Sequence, residues 1–217
     1  MKKEYLYIVS GLLLVALLVS MAPKGEKGEE RSVKRVDRVL CLGDSLTFGF
    51  GTQNPDTESY PAVLGRLTGV EVIGAGINGE TSAEILSRTP GLLKRHHPDL
   101  VILCSGGNDI LQGIDEDILE RNLRETISEI ERSGAGIILI GVPHFGLTGL
   151  KSLSIYEDLA DRYNLPYMGD LLPEILSKPS MKSDYIHPNA GGYEKMAEEI
   201  AEKMYEEGML TLPPRRR

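Results

Sequence analysis

Two patterns of apolar residues alternate along residues 39–204. Short continuous apolar runs, typical of strands buried on both faces, are separated by longer segments in which apolar residues recur every three or four positions. The strand-like runs lie at residues 39–42, 70–73, 100–104, 137–142 and 167–168. Strands that alternate with helices predict an α/β fold with a parallel sheet and crossover helices.

The segments between these runs have the helical period. The apolar positions of the predicted helices are Ala62, Val63 and Leu67; Leu119, Leu123, Ile127 and Ile130; and Tyr193, Met196, Ala197, Ile200 and Met204. Further helices are predicted near residues 155–163 and from Thr81, where Thr81 and Glu84 have the spacing of a capping box. Each helix has one apolar face to pack on the sheet.

The chain begins with an apolar segment from Tyr5 to Ala22, preceded by Lys2 and Lys3. About 18 such residues can span a bilayer, so the segment is either a membrane anchor or a signal peptide. Cleavage after Ala22 would place Pro23 directly behind the cut, and no cysteine follows closely enough to be lipidated. We therefore expect an uncleaved anchor, with secretion after cleavage as the alternative.

Two features of the sequence predict opposite orientations for this segment in the membrane. More basic residues follow it than precede it, which would retain the following domain in the cytoplasm. A signal-like N-terminus usually directs export. We expect the folded domain to lie outside the cytoplasm. The predicted organisation is an anchor or signal at 1–22, a charged linker at 23–37, one folded domain at 38–207 and a basic tail at 208–217.

Charge is unevenly distributed along the chain. Residues 39–214 contain 13 basic and 27 acidic side chains, so the folded part has a net charge of about −14. Such a surface repels phosphate backbones, and we expect no nucleic acid partner. The basic ends could contact anionic lipid headgroups, although a solvated tail is the simpler interpretation of Arg215, Arg216 and Arg217.

The sequence offers little for a metal or a cofactor. Cys41 and Cys104 lie in strand-like runs and are expected to be buried thiols, and no Cys/His cluster has metal-ligand spacing. Residues 74–79 fit the G-x-G-x-x-G pattern of dinucleotide sites, with Asp99 twenty residues further on. Asp99, however, starts a strand and would lie at the wrong edge of the sheet. We expect neither metal nor cofactor, and interpret 74–79 as a tight turn.

A nucleophile and a base can be proposed from position. Ser45 follows a buried strand and a Gly-Asp pair, so its hydroxyl is expected at the carboxyl end of the sheet, where ligands bind. His187 has Asp184 three residues before it, and that carboxylate can orient the imidazole that takes the serine proton. Taken alone, Gly-Asp-Ser is a common turn, and Asp184 with His187 could instead cap the last helix.

Attack by a serine on a carbonyl group would create an oxyanion, which needs hydrogen-bond donors to stabilise it. The backbone N–H groups of Ser45 and Gly79 and the side-chain amide of Asn108 are the candidates. Asn108 lies in the turn-rich sequence Gly106-Gly107-Asn108-Asp109, so a structural role in a turn remains open. Asp109 is expected to support that turn.

Together, Gly43-Asp44-Ser45-Leu46, Gly79, Gly106-Gly107-Asn108-Asp109 and Asp184-x-x-His187 resemble the SGNH, or GDSL-type, hydrolase superfamily. The similarity is greatest to its thioesterase I, lysophospholipase and arylesterase branch. It covers about residues 38–205 and extends to 75–82 and 92–98. No catalytic position departs from the family pattern.

The resemblance implies a flavodoxin-like three-layer sandwich with a five-stranded parallel sheet of order 2-1-3-4-5 and helices on both faces. It implies a serine esterase that acts on lipid-like or small acyl esters or thioesters, with Ser45 as nucleophile, His187 as base and Asp184 as its partner. The loop 143–146 is expected to shape an acyl pocket, with Phe145 as its apolar wall or else as a core residue, and His144 as a surface residue. A carbohydrate O-deacetylase and a catalytically silent binding protein are the alternatives.

Overall fold

A computed structural model describes residues 35–146 and 149–211. Within these ranges, no helix is both long and apolar enough to cross a bilayer. The predicted anchor at 1–22, most of the predicted linker and the end of the basic tail lie outside the described residues. The predictions for these segments therefore remain predictions.

The described chain is organised around a parallel sheet. Its strands are β1 (Arg38–Gly43), β2 (Glu71–Gly76), β3 (Leu100–Cys104), β4 (Gly136–Ile140) and β7 (Tyr167–Met168). Their order is β2-β1-β3-β4-β7, so the predicted order 2-1-3-4-5 is confirmed, with β7 as the fifth strand of the sheet. All five residues of β3 are buried. Because successive side chains point to opposite faces, both faces of the sheet are covered.

Helices cover the sheet in two groups. Their bounds are α1 (Ser45–Phe48), α2 (Pro55–Glu58), α3 (Tyr60–Thr68), α4 (Ser82–His96), α5 (Gly107–Gln112), α6 (Glu116–Ser133), α7 (Ser154–Tyr163), α8 (Leu171–Ser177) and α9 (Ala190–Glu206). Helices α3 and α8 pack against α9, while α4 and α7 pack against α6. The predicted apolar faces of α6 and α9 are buried, and the capping box at Thr81 is present. This is the predicted three-layer arrangement.

Strand β2 extends further than its sequence predicts. We predict a strand at 70–73 because glycine is unfavourable in strands. In the structure, β2 runs to Gly76 because Gly74, Ala75 and Gly76 pair in register with residues 41–43 of β1. A side chain at Gly76 would overlap the backbone of α1 at Phe48. The glycine thus permits α1 to lie directly against the end of the sheet.

Residues 143–146, predicted to be a loop, are a strand, and this prediction is wrong. They form β5 (Pro143–Gly146), which pairs in antiparallel register with β6 (Gly149–Ser152). The pairing is separate from the main sheet, and β6 packs against α8. Four-residue strands are too short for a clear two-residue period, so only the tertiary structure identifies them.

The dinucleotide interpretation of residues 74–79 is excluded by the position of Asp99. Its carboxylate accepts hydrogen bonds from the backbone N–H groups of Asp37 (3.1 Å) and Arg38 (3.0 Å) at the beginning of β1. That is the amino edge of the sheet, whereas a ribose would lie at the carboxyl edge.

Candidate active site

Ser45 lies where the central strand ends. Strand β1 ends at Gly43, Asp44 caps α1 by accepting a hydrogen bond from the N–H of Leu46 (3.0 Å), and Ser45 is the first residue of the helix. A side chain at Gly43 would overlap the carbonyl oxygen of Cys104 and the side chain of Thr47. Glycine is therefore needed at this position because the end of β1 packs closely against β3 and against Thr47 of α1.

Asp184 and His187 come from one tight loop before α9. One carboxylate oxygen of Asp184 accepts the backbone N–H groups of Ile186 and His187, each at 2.8 Å. The other lies 2.8 Å from Nδ1 of His187. Burial raises the pKa of Asp184, but these hydrogen bonds and the nearby imidazole outweigh it, so the pKa is lowered overall. The carboxylate is held in its charged form.

The structure brings Ser45 together with Asp184 and His187, although Ser45 and His187 are 142 positions apart in the sequence. Oγ of Ser45 lies 3.0 Å from Nε2 of His187. With the Nδ1 proton held by Asp184, Nε2 has its lone pair free for the serine hydroxyl. The tautomer is assigned from these hydrogen bonds. The arrangement can remove a proton from Ser45 and return it to a leaving group.

Of the candidate oxyanion donors, Ser45 and Asn108 line the cleft and Gly79 does not. Asn108 lines the cleft beside Ser45, and its Nδ2 donates one hydrogen bond to the carbonyl oxygen of Glu80 (2.8 Å). A carboxamide nitrogen carries two hydrogens, so one remains for a ligand. Gly79 has φ +83° in the turn that Glu80 closes on Ile77, as a type II turn requires. Residues 77–80 form a tight turn as predicted, whereas residues 74–76, also predicted to belong to it, are the end of β2, and Gly79 itself does not line the cleft.

Asp109 has the supporting role that its sequence position predicts. It is buried, and its carboxylate accepts hydrogen bonds from the backbone N–H and the hydroxyl of Ser82. Asn122 donates to the same hydroxyl (2.9 Å). These contacts join the first turn of α5 to the first turn of α4, and so position Asn108.

Arg88 is a functional neighbour that the sequence analysis misses. Its guanidinium donates to the carbonyl oxygens of Gly43 (2.9 Å) and Ala75 (2.8 Å) and forms an ion pair with Glu80 (2.6 Å). Arg88 therefore joins the ends of β1 and β2 to the residue that holds Asn108. Its place in the middle of α4 gives no sequence signal for this role.

Ser45, Asn108 and His187 line one open cleft. Its apolar lining comes from α1, α5, the segment after β4, the hairpin, α8 and the histidine loop, and includes Ile110, Leu111, Val142, Leu150, Leu176 and Ile186. His144, expected at the surface rather than as a second base, is half-buried in the wall of this open cleft. The side chain of Phe145 lies outside the described part of the chain, so its contact with substrate remains a prediction.

Asp44, directly before the nucleophile, is a buried acidic residue with one carboxylate oxygen that is unpartnered within the described part of the chain. Its carboxylate is 1% exposed, and Oδ2 has no hydrogen-bond partner among the described residues. Burial, with a smaller contribution from the charge of Asp109, raises the pKa of Asp44 to about 7. Across the described ranges, no three His, Cys, Asp or Glu side chains are grouped to hold a metal ion.

Comparison with known proteins identifies the class. The model of the GDSL-like lipase/acylhydrolase family matches residues 41–195. The chain is 33% identical over 178 residues to an arylesterase of Vibrio mimicus, covering 77% of this chain and 88% of the relative. It is 31% identical over 175 residues to thioesterase 1/protease 1/lysophospholipase L1 of Escherichia coli strain K12, covering 77% and 83%.

A solved structure gives the same fold. The psychrotrophic esterase EstA from Pseudoalteromonas sp. superposes with a TM-score of 0.68 at 24% identity, covering 78% of this chain and 97% of EstA. The chain belongs to the GDSL-like lipase/acylhydrolase family, and it is a serine ester hydrolase.

Proposed function

We propose that Ser45 is the nucleophile of this esterase, His187 the general base and Asp184 the residue that orients the imidazole. The observation that carries this assignment is the continuous hydrogen-bonded path from Asp184 through His187 to Oγ of Ser45. It lies in an apolar cleft at the carboxyl edge of the sheet.

In the proposed reaction, Oγ of Ser45 attacks the carbonyl carbon of the ester while its proton passes to Nε2 of His187. The oxyanion receives hydrogen bonds from the N–H groups of Ser45 and Gly79 and from the amide of Asn108. The bond to the alcohol or thiol then breaks, and that leaving group takes the proton from Nε2. Water then attacks the acyl carbon while the same imidazole takes its proton, the bond to Oγ of Ser45 breaks, Nε2 returns the proton to Oγ, and the carboxylic acid leaves.

We propose lipid-like or small acyl esters and thioesters as substrates. The apolar lining of the cleft supports an acyl group, and the names of the two relatives, an arylesterase and a thioesterase and lysophospholipase, support the same class. A polar sugar alcohol finds little in this lining to bind it, which disfavours the carbohydrate O-deacetylase. Phe145 is proposed as part of the acyl wall.

The test is hydrolysis of p-nitrophenyl esters from acetate to palmitate by the full chain in detergent. Ser45→Ala and His187→Ala should each lower kcat by at least about 10³-fold, because each removes a group on which proton transfer depends. A fluorophosphonate should label the wild type and spare Ser45→Ala. Unchanged turnover in Ser45→Ala would refute the assignment, and equal turnover of short and long esters would refute the acyl-binding cleft.

We also propose, from the sequence of residues 1–22 alone, that the segment anchors the enzyme to a membrane with its catalytic domain outside the cytoplasm. External protease added to intact cells should then degrade the domain while a cytoplasmic marker survives. Release from membranes by a high-salt wash without detergent would contradict anchoring, and protection from protease would contradict export.

A further inference from the structure

Phe50 contacts the proposed base, yet the mechanism above assigns it no role. Its ring centroid lies 4.6 Å from that of His187, and the two rings are inclined by 45°. This distance is within the range of favourable aromatic contacts. Phe50 is 45% exposed, so burial in the core does not explain its position.

The turn that carries Phe50 is built against the histidine loop. The backbone N–H of Phe50 donates to the carbonyl oxygen of Ser45 (3.1 Å), and its own carbonyl oxygen accepts the hydroxyl of Tyr193 (2.9 Å). On its C-terminal side Gly51 has φ +92°, and a side chain there would overlap Ser183. The turn after the nucleophile therefore packs on the loop that presents His187.

We propose that Phe50 is a positioning residue for His187, a role that rests on the proposed function. Its ring restricts rotation of the imidazole and keeps Nε2 directed at Ser45. It also excludes water from one side of the imidazole. When the imidazole takes the serine proton, the Phe50 ring, with its centroid 4.6 Å away, stabilises the positive charge. The contact therefore favours the transition state more than the bound substrate, and its loss should lower kcat and leave KM unchanged.

Phe48 provides a matched control. It is the same residue type two positions earlier and is 42% exposed. It lines a different groove, beside Pro55 and Pro61, and among the described residues it has no ring contact with His187. The two phenylalanines are exposed to a similar degree, so the two variants differ mainly in the contact with the base.

The experiment compares Phe50→Leu, Phe50→Tyr and Phe48→Leu with the wild type in the full chain, with p-nitrophenyl acetate as substrate. The short acyl group limits contact between substrate and distant side chains. Phe50→Leu should lower kcat by about 3- to 10-fold at unchanged KM. Phe50→Tyr, which retains an aromatic face, and Phe48→Leu should both stay within about 2-fold of the wild type. Thermal unfolding should be similar for all four proteins.

Three results would overturn the proposal. They are an unchanged kcat in Phe50→Leu, a raised KM at constant kcat, which would mean contact with substrate, and an equal loss in Phe48→Leu. If the wild type turned over the substrate no faster than Ser45→Ala, the proposed function itself would be refuted, which is a different outcome. Labelling of Ser45 by fluorophosphonate in the wild type separates the two cases.

Discussion

At the scale of single residues, the carboxylate of Asp44, next to the nucleophile, is buried where its charged form costs free energy. One carboxylate oxygen caps α1 through Leu46, whereas Oδ2 is buried without a hydrogen-bond partner among the described residues. A buried carboxyl group without full hydrogen bonding favours its neutral form. The pKa of about 7 places the protonation change of Asp44 near neutral pH.

This raised pKa predicts a pH-dependent stability. The folded protein binds the Asp44 proton more tightly than the unfolded chain does. Proton binding therefore stabilises the folded state fully below about pH 4, and this stabilisation is lost as the pH rises through about 7. Asp44→Asn should therefore gain stability relative to the wild type between pH 4 and pH 8. The rise in pKa corresponds to a ceiling of about 4 kcal/mol, and we expect about 1–3 kcal/mol in urea unfolding.

Asp115 provides the control for this measurement. It also caps a helix, accepting the N–H of Asp117 (2.9 Å), but it is exposed. Asp115→Asn keeps a capping side chain and removes no buried carboxylate, so it should not reproduce the gain in stability expected for Asp44→Asn. A gain for Asp44→Asn that is equal at pH 4 and pH 8 would show that burial of the charge is not the cause.

At the scale of elements, the ends of β1 and β2 are held together by a side chain from α4. The Arg88 guanidinium and its partner Glu80 have side chains that are 19% and 14% exposed. Ion pairs shielded in this way are screened less by salt than exposed ones. Arg88 thereby couples the strand before Ser45 to the turn that contains Gly79 and holds Asn108.

Arg88→Ala should therefore lower kcat by about 10-fold or more, since small displacements of the nucleophile and the oxyanion donors are costly. Arg88→Lys should recover only part of the loss, because an ammonium group cannot reproduce the planar fork. The measurement is kcat and KM for a p-nitrophenyl ester, with thermal unfolding in parallel.

Arg66→Ala is the matched control for this experiment. Arg66 also donates to two carbonyl oxygens, those of Thr57 and Ala62, but on the exposed side of α3. The Arg66→Ala variant should retain the kcat of the wild type. If Arg66→Ala and Arg88→Ala behaved alike, the coupling of the two strand ends would have no catalytic role.

The elements differ in how well their sequence predicts them. Strand β3 and helices α6 and α9 are predicted closely, because burial imposes a clear apolar pattern on long segments. The hairpin of β5 and β6, the short helix α8 and the end of β2 are not. Their conformations depend on neighbours distant in the sequence, such as the pairing of Gly76 with Gly43.

At the scale of the whole molecule, the site is assembled by chain topology. Parallel strands have their carboxyl ends at one edge of the sheet, so segments that follow β1, β2 and β3 converge there. Ser45, Glu80 and Asn108 meet for this reason, and the loop before α9 adds His187 from 142 residues further along the chain.

The sequence by itself determined the fold class and the identity of the candidate residues Ser45, Asp184 and His187, while the strand order followed from the resemblance of its motifs to a known family. Apolar periodicity is a local property, and motifs of reactive residues are local as well. Only the tertiary structure decided that Arg88 connects three segments, that the hairpin and α8 wall the cleft, and that Phe50 packs on His187. These contacts join distant positions, and a linear pattern does not contain the distances between them.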